Sequence, residues 1–300
     1  MRIDRTLTPM PIFFLPVSPR TIVLVFGLAV GLAAPLRASA QQIDVSTSGQ
    51  YSSGDYIFTE ETDLFVWSNS ISVTQGRFRI GVSVPLVVQT TPWITYGGIG
   101  LTPSGGPQHG AVGGNGHGGG QRGRRTPIAL PDTGSYRSTG VGDPQIQASY
   151  DLRTLSDTSR LRVQLIGAVK PPLADANAGF STGAWDGGLG LSVSRTFAPW
   201  FALAEGTYWW LGDLDDLTLE NGISYSVGVG RTLYRGRWGL LASISGATTI
   251  IDDVDPPATL NGGINYSTGY WGLSATVSSG LTEGAADWSV GVGATATLSK

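Results

Sequence analysis

His109 and His117 are the only histidines in the chain, and cysteine is absent; together these facts bound the available chemistry. Both histidines sit in the glycine-rich stretch 105–120. A metal site needs three or four ligands in fixed geometry, and a glycine-rich backbone holds two imidazoles in no fixed relation. The same shortage removes the usual nucleophiles. Without cysteine there is no thiolate, and serine activation needs a base held on an ordered element and oriented by a third group. No catalytic residue, metal or cofactor is expected. Gly113-Gly114-Asn115-Gly116 and Gly118-Gly119-Gly120 have the composition of a phosphate cradle. That device requires a strand before it and a helix after it, and neither pattern flanks them. Arg122, Arg124 and Arg125 read as solvated cations rather than contacts for lipopolysaccharide phosphates.

A second set of reactive side chains lies in segments with a two-residue rhythm. In Trp288-Ser289-Val290-Gly291-Val292-Gly293-Ala294-Thr295-Ala296-Thr297-Leu298 every even position is apolar and every odd one is Ser, Gly or Thr. Successive side chains of a strand point to opposite faces, so this segment has one greasy face and one small polar face. A soluble sandwich buries the greasy face, whereas a transmembrane barrel turns it to lipid. The rhythm recurs at 78–88, 145–152, 189–194, 223–229, 238–244, 264–267 and 271–277, and more weakly at 42–52, 63–74, 160–171 and 201–211. The 201–211 segment is the least regular, because Glu205 and Trp209 share a face. The count is about twelve strands, with the usual error of a few residues at each boundary.

The connectors alternate strictly between short and long. Short ones fall at 75–76, 154–159, 198–199, 235–236 and 269–270; long ones fall near 53–62, 90–139, 172–186, 212–220, 251–258 and 281–287. Charge follows the same division. The long loops carry most of the acids, among them Asp213, Asp215, Asp216, Glu220, Asp252, Asp253 and Asp255. Arg77, Arg79, Arg153, Arg160, Arg162, Arg195, Arg231, Arg235 and Arg237 gather at the short turns. Aromatic residues also form two groups, Phe197, Trp200, Phe201, Tyr234, Trp238, Tyr270 and Trp271 beside the short turns and Phe58, Trp67, Trp185, Trp210 and Trp288 beside the long loops. Two such groups match the interfacial girdles of membrane barrels. The fold class is therefore all-β: a transmembrane antiparallel up-and-down β-barrel.

The N-terminus has the order of a secretory signal: Arg2, Arg5 and Arg20, an apolar run at 21–34, Pro35, then Ala38-Ser39-Ala40. That run is shorter than the roughly 20 residues a spanning helix needs. The expected division is a signal peptide over 1–40 and an outer-membrane barrel over 41–300. Loop 90–139 is expected to be a long, glycine-rich, mobile external segment, too poor in apolar residues to offset its ordering entropy. An arginine facing mid-bilayer costs about 2–4 kcal/mol, so strand charges and amides should face the interior. Parity gives Arg79, Gln145, Gln147, Arg162, Gln164, Glu205 and Asn265 as lumen-lining candidates.

Three stretches carry a family resemblance. They are Thr62-Asp63-Leu64-Phe65-Val66-Trp67 with Arg77-Phe78-Arg79-Ile80-Gly81-Val82-Ser83-Val84-Pro85, then Gly140-Val141-Gly142-Asp143-Pro144 with Ala148-Ser149-Tyr150-Asp151-Leu152, and Lys170-Pro171-Pro172. Residues 43–300 resemble the outer-membrane transporter-like family labelled MetA-pathway of phenol degradation. The chain departs from it in ending Thr297-Leu298-Ser299-Lys300, without a terminal aromatic residue, and in the length of loop 90–139. The resemblance implies an outer-membrane channel or facilitator for passive uptake of small hydrophobic or aromatic solutes. The alternative is a closed structural or surface-interaction barrel without transport. The expected partners are outer-membrane lipid and a small-molecule solute, with no nucleic acid; the sequence assigns no oligomeric state.

Overall fold

The computed structural model describes residues 41–106, 112, 128, 136–152, 160–176, 179–214 and 217–299. In chain order the strands are β1 (Gln41–Gly54), β2 (Thr62–Gln75), β3 (Phe78–Gln89), β4 (Ile94–Gly97), β5 (Gly100–Pro103), β6 (Ser138–Val141), β7 (Gln145–Leu152) and β8 (Leu161–Lys170). They continue with β9 (Asp186–Phe197), β10 (Trp200–Trp210), β11 (Gly222–Leu233), β12 (Trp238–Ala247), β13 (Ala258–Ser267), β14 (Trp271–Gly280) and β15 (Trp288–Ser299).

A ring forms because each wall strand pairs antiparallel with the next and β1 also pairs with β15, with Gln42 opposite Ser299 and Ser53 opposite Trp288. The result is a closed 12-strand antiparallel barrel. Closure leaves no unpaired edge, which is what hydrocarbon demands of a β-structure. One wall position is split. β3 pairs through Phe78–Ser83 with β7 and through Leu86–Gln89 with β6, and the chain leaves the ladder at 142–144.

Alternation sorts the two faces. Val227, Val229, Ile244, Leu260, Val277 and Val292 are exposed on the outer face. Between them, inward positions are small: Gly228 faces Ser243, and Gly293 faces Ser274, both within contact of a would-be Cβ. Aromatic side chains close the outward rows at both ends. Trp238, Tyr266 and Trp271 pack as a tilted trio near the short turns, with ring centroids 4.8 and 5.7 Å apart. Tyr51 and Trp288 lie 5.3 Å apart at the long-loop end.

The irregularity of 201–211 has a structural cause. Trp209 is on the inward face of β10 and is buried, its indole N–H donating to Ser224 Oγ at 3.0 Å. Inside this barrel a tryptophan is a filler, not a girdle residue.

The expectation for loop 90–139 is corrected over 90–106. This part is an ordered hairpin, β4 with β5, and Trp93, Ile94 and Thr95 are almost fully buried. Thr95 and Ser104 share a side-chain hydrogen bond of 2.6 Å, Thr62 and Thr91 one of 2.7 Å, and Gly105 N–H donates to Trp93 O at 3.0 Å. Trp93 stacks against Phe58 at 5.1 Å. Around them Ile57, Leu64, Val87, Phe180, Leu214, Leu219 and Ile251 form one apolar cluster at the long-loop end. Apolar area supplied by neighbouring loops, which the segment lacks by itself, stabilises its order. Residues 107–111, 113–127 and 129–135, with both histidines and Arg122, Arg124 and Arg125, lie outside the described residues, as does the expected signal peptide over 1–40.

Candidate functional site

Among the described residues, two cavities lie in the barrel interior. The larger, about 450 Å³, has a wall of hydroxyls and amides, including Gln50, Ser224, Ser226, Thr259 and Asn261, and a larger apolar share to which Ile99 and Leu101 of the hairpin, Tyr56, Pro257 and Ala286 contribute. The smaller, about 410 Å³, is lined by Arg79, Gln145, Gln147, Arg162, Gln164 and Glu205 among serines and glycine. These are the lumen candidates except for Asn265. That residue sits opposite Gly239 in the β12–β13 ladder, on the face that carries Thr259 and Asn261, and touches neither cavity.

Both lumen arginines are paired. Arg162 grips Asp151 with a two-pronged contact, Nε to Oδ1 and Nη2 to Oδ2, each 2.9 Å. Arg79 reaches Asp44 at 3.2 Å and donates to Ser72 Oγ at 2.8 Å. Glu205 differs: it borders both cavities and has no hydrogen bond or ion pair among the described residues. With each arginine facing an aspartate, the uncompensated charge on these walls is the one carboxylate.

The hairpin lines the larger cavity through Ile99 and Leu101, and its tip is bonded to Gln145, a wall residue of the smaller one. Gly98 O accepts from Gln145 Nε2 at 3.3 Å, and Gly98 N–H donates to Asp186 Oδ2 at 2.8 Å. A Cβ at Gly98 would lie 2.8 Å from the Trp209 ring and 2.9 Å from Asp186 Cβ, so only glycine fits between them.

Asp186 belongs to a buried charge network that sequence reasoning missed. Lys170, Asp143 and Asp186 are at most 1% exposed. Lys170 Nζ lies 2.7 Å from Asp143 Oδ2 and 3.4 Å from Asp186 Oδ2, and donates to Thr182 Oγ1 and Ala184 O. Asp143 Oδ1 accepts from the N–H groups of Leu173 and Ala174, each at 2.8 Å, and Oδ2 accepts from Ser181. Asp186 Oδ1 accepts from Gly212 N–H at 3.1 Å. Buried ions are tolerated when paired and fully hydrogen-bonded. Here the pairing fastens three loops and the hairpin tip to one ammonium. The signal was present in Gly142-Asp143-Pro144 and Lys170-Pro171-Pro172, two of the resemblance stretches. The break between β6 and β7 lets Asp143 reach Lys170.

At the loop rim, burial and the neighbouring charges of Asp55 and Glu61 raise the Asp287 carboxyl above its ordinary value. Loops 55–61 and 281–287 are thus pressed together with like charges between them.

A closed barrel with an apolar outer band, aromatic ends and a polar interior defines the outer-membrane β-barrel class. Among solved structures, the chain is similar to an outer-membrane channel from Pseudomonas putida F1, with TM-score 0.58 and 14% identity over 88% of this chain and 97% of that one. It is less similar to the KdgM porin, with TM-score 0.44 and 8% identity over 85% and 98% of the two chains. The CymD monoaromatic hydrocarbon channel gives TM-score 0.42 and 10% identity over 87% and 89%. No family model and no curated protein matches the chain. At such identities the likeness is one of fold.

Proposed function

We propose that the chain is a passive outer-membrane channel for small solutes, exported by a signal peptide over 1–40, in which the 94–103 hairpin is the constriction. The observation that carries this reading is the pair of interior cavities, about 450 and 410 Å³, that share Glu205, the hairpin lining the larger and its tip bonded to Gln145 of the smaller. A plain structural barrel has no need of a wet interior walled by hydroxyls, amides and paired arginines. The first described strand begins at Gln41, where export processing would leave the mature start. Passage requires release as well as capture, and a wall of weak neutral donors and acceptors meets that condition.

The MetA-pathway resemblance suggests small hydrophobic or aromatic passengers. Ile99, Leu101 and Tyr56 give the larger cavity an apolar side on which an aromatic ring could lie against the hydroxyl wall. The second reading, a closed barrel without transport, is favoured by the ordered hairpin and the apolar cluster that caps the loop end.

Planar-bilayer conductance separates the two, read on the intact chain and on a variant with 94–103 replaced by a short Gly-Ser linker. Heat-modifiable migration certifies that each sample is folded. A channel conducts in the intact form and more strongly without the hairpin. Two silent, folded proteins would establish the closed barrel. Liposome swelling with aromatic and sugar solutes then ranks the passengers.

A further inference from the structure

The outward face of the barrel is apolar or glycine along the middle of every strand except at one adjoining pair, Thr47 of β1 and Asn69 of β2. On β2 the outward row reads Asp63, Phe65, Trp67, Asn69, Ile71, Val73 and Gln75, and its central member is Asn69, which is exposed. Across the ladder lies Thr47 of β1, also outward and exposed, and on the other side Val84 of β3. The two polar side chains are tied together: Trp67 Nε1 donates to Thr47 Oγ1 at 2.6 Å, and Thr47 Oγ1 donates to Asn69 Oδ1 at 2.9 Å. The Asn69 amide N–H groups find no acceptor among the described residues. An unsatisfied amide in hydrocarbon costs several kcal/mol, so the patch is out of place on a surface that meets only lipid.

We propose that the Thr47–Asn69 patch is an interface between two copies of this chain, paired side by side in the bilayer about a twofold axis through Asn69. The chemistry selects the partner. Fixed by Thr47, the Asn69 amide keeps one carbonyl lone pair and both N–H donors free, a set complementary to itself. A twofold axis sets two such amides in register for a reciprocal pair of N–H···O bonds, the self-matching contact an isologous interface requires. The surrounding surface permits close approach, since Thr47 is flanked by Ala294 on β15 and Gly49 lies beneath the Phe65 ring. Polar pairs of this kind draw membrane segments together because lipid offers them no alternative partner.

The absence of native cysteine makes the test direct. Asn69→Cys as the sole cysteine, and an equimolar mixture of the single variants Thr47→Cys and Val84→Cys, which the twofold axis sets opposite each other, are reconstituted in phosphatidylethanolamine/phosphatidylglycerol vesicles and oxidised. Val227→Cys, on the outward face of β11 diametrically across the ring, serves as control. The interface predicts a disulfide-linked dimer for the first two and none for the third. Single-molecule photobleaching of the labelled parent should give two-step traces, and Asn69→Leu should weaken association about tenfold while still folding, as heat-modifiable migration shows. Single-step traces for the parent, equal cross-linking at Val227→Cys, or undiminished pairing in Asn69→Leu would each overturn the proposal.

Discussion

Replacing Asp186 by Asn tests whether the hairpin is a latch. The substitution keeps the shape of the side chain but removes its charge. Asp186 Oδ2 accepts from Gly98 N–H at 2.8 Å and lies 3.4 Å from Lys170 Nζ, while Oδ1 holds Gly212 N–H at 3.1 Å. An amide has one oxygen, so one of the two backbone donors must face an NH2 group, and the Lys170 ammonium loses one of its two carboxylates. Hydrogen bonds to charged groups contribute about 1.5–3 kcal/mol each, and 1.36 kcal/mol corresponds to a tenfold change. Loss of one such bond from the docked hairpin therefore raises the undocked population by about 10- to 100-fold. In single-channel recordings the change should appear as longer or more frequent high-conductance dwells, with the size of the open level unaltered. The ring should stay closed, because the β8–β9 ladder is backbone-bonded and Asp143 still pairs with the Lys170 ammonium. If Asp186→Asn channels and parent channels show the same dwell statistics with both folded, the hairpin does not gate through this contact.

Three further outcomes follow from the geometry. Glu205→Gln should shift the reversal potential in a KCl gradient away from cation preference, since Glu205 is the unpaired charge on both cavity walls; an unchanged potential would remove it from the ion path. Val292→Arg should destabilise insertion into vesicles by about 2–4 kcal/mol, whereas Gly293→Ala should cost far less, because Val292 is exposed on the outer face and Gly293 looks across to Ser274; equal folding yields would refute the assigned faces. The raised Asp287 carboxyl is better accommodated protonated. Its contribution to loop packing is thus full below the ordinary carboxylate range and is lost as pH rises through the raised value. Amide exchange at 281–287 should slow on acidification through that window, and faster exchange there would contradict the sign.

The strands and their faces were legible because the lipid environment enforces alternation along every outward row, as in Val290, Val292 and Ala294. The inward assignment of Arg79, Gln145, Gln147, Arg162, Gln164 and Glu205 follows from the same constraint, and the smaller cavity gathers them. The hairpin was not legible. Ile94 to Pro103 carries no strong alternation, and its burial depends on apolar partners such as Phe58 and Ile251 from loops remote in sequence. The charge network was hidden for a related reason. Asp186 reads as one loop acid among many, and only closure of the ring brings it to Lys170 and to Gly98, 88 positions away. Trp209 reads as a lapse in a pattern; its partner Ser224 lies on the next strand.

The segregation of acids to one end and arginines to the other makes the barrel an electric dipole along its own axis. In the proposed channel, a cation entering from the long-loop end descends a potential set by Asp213, Asp252 and Asp255, then meets the field of the arginines gathered at the short turns, among them Arg195, Arg231 and Arg237. A cation driven the other way meets those steps in reverse. A tube with such built-in polarity rectifies: in symmetric salt, with the proteins inserted in one orientation, the current at equal and opposite voltages should differ. The asymmetry should fade as added salt shortens the Debye length from about 30 Å at 0.01 M to about 3 Å at 1 M. In the channel proposed above, the distribution of charge between turns and loops thereby sets a direction.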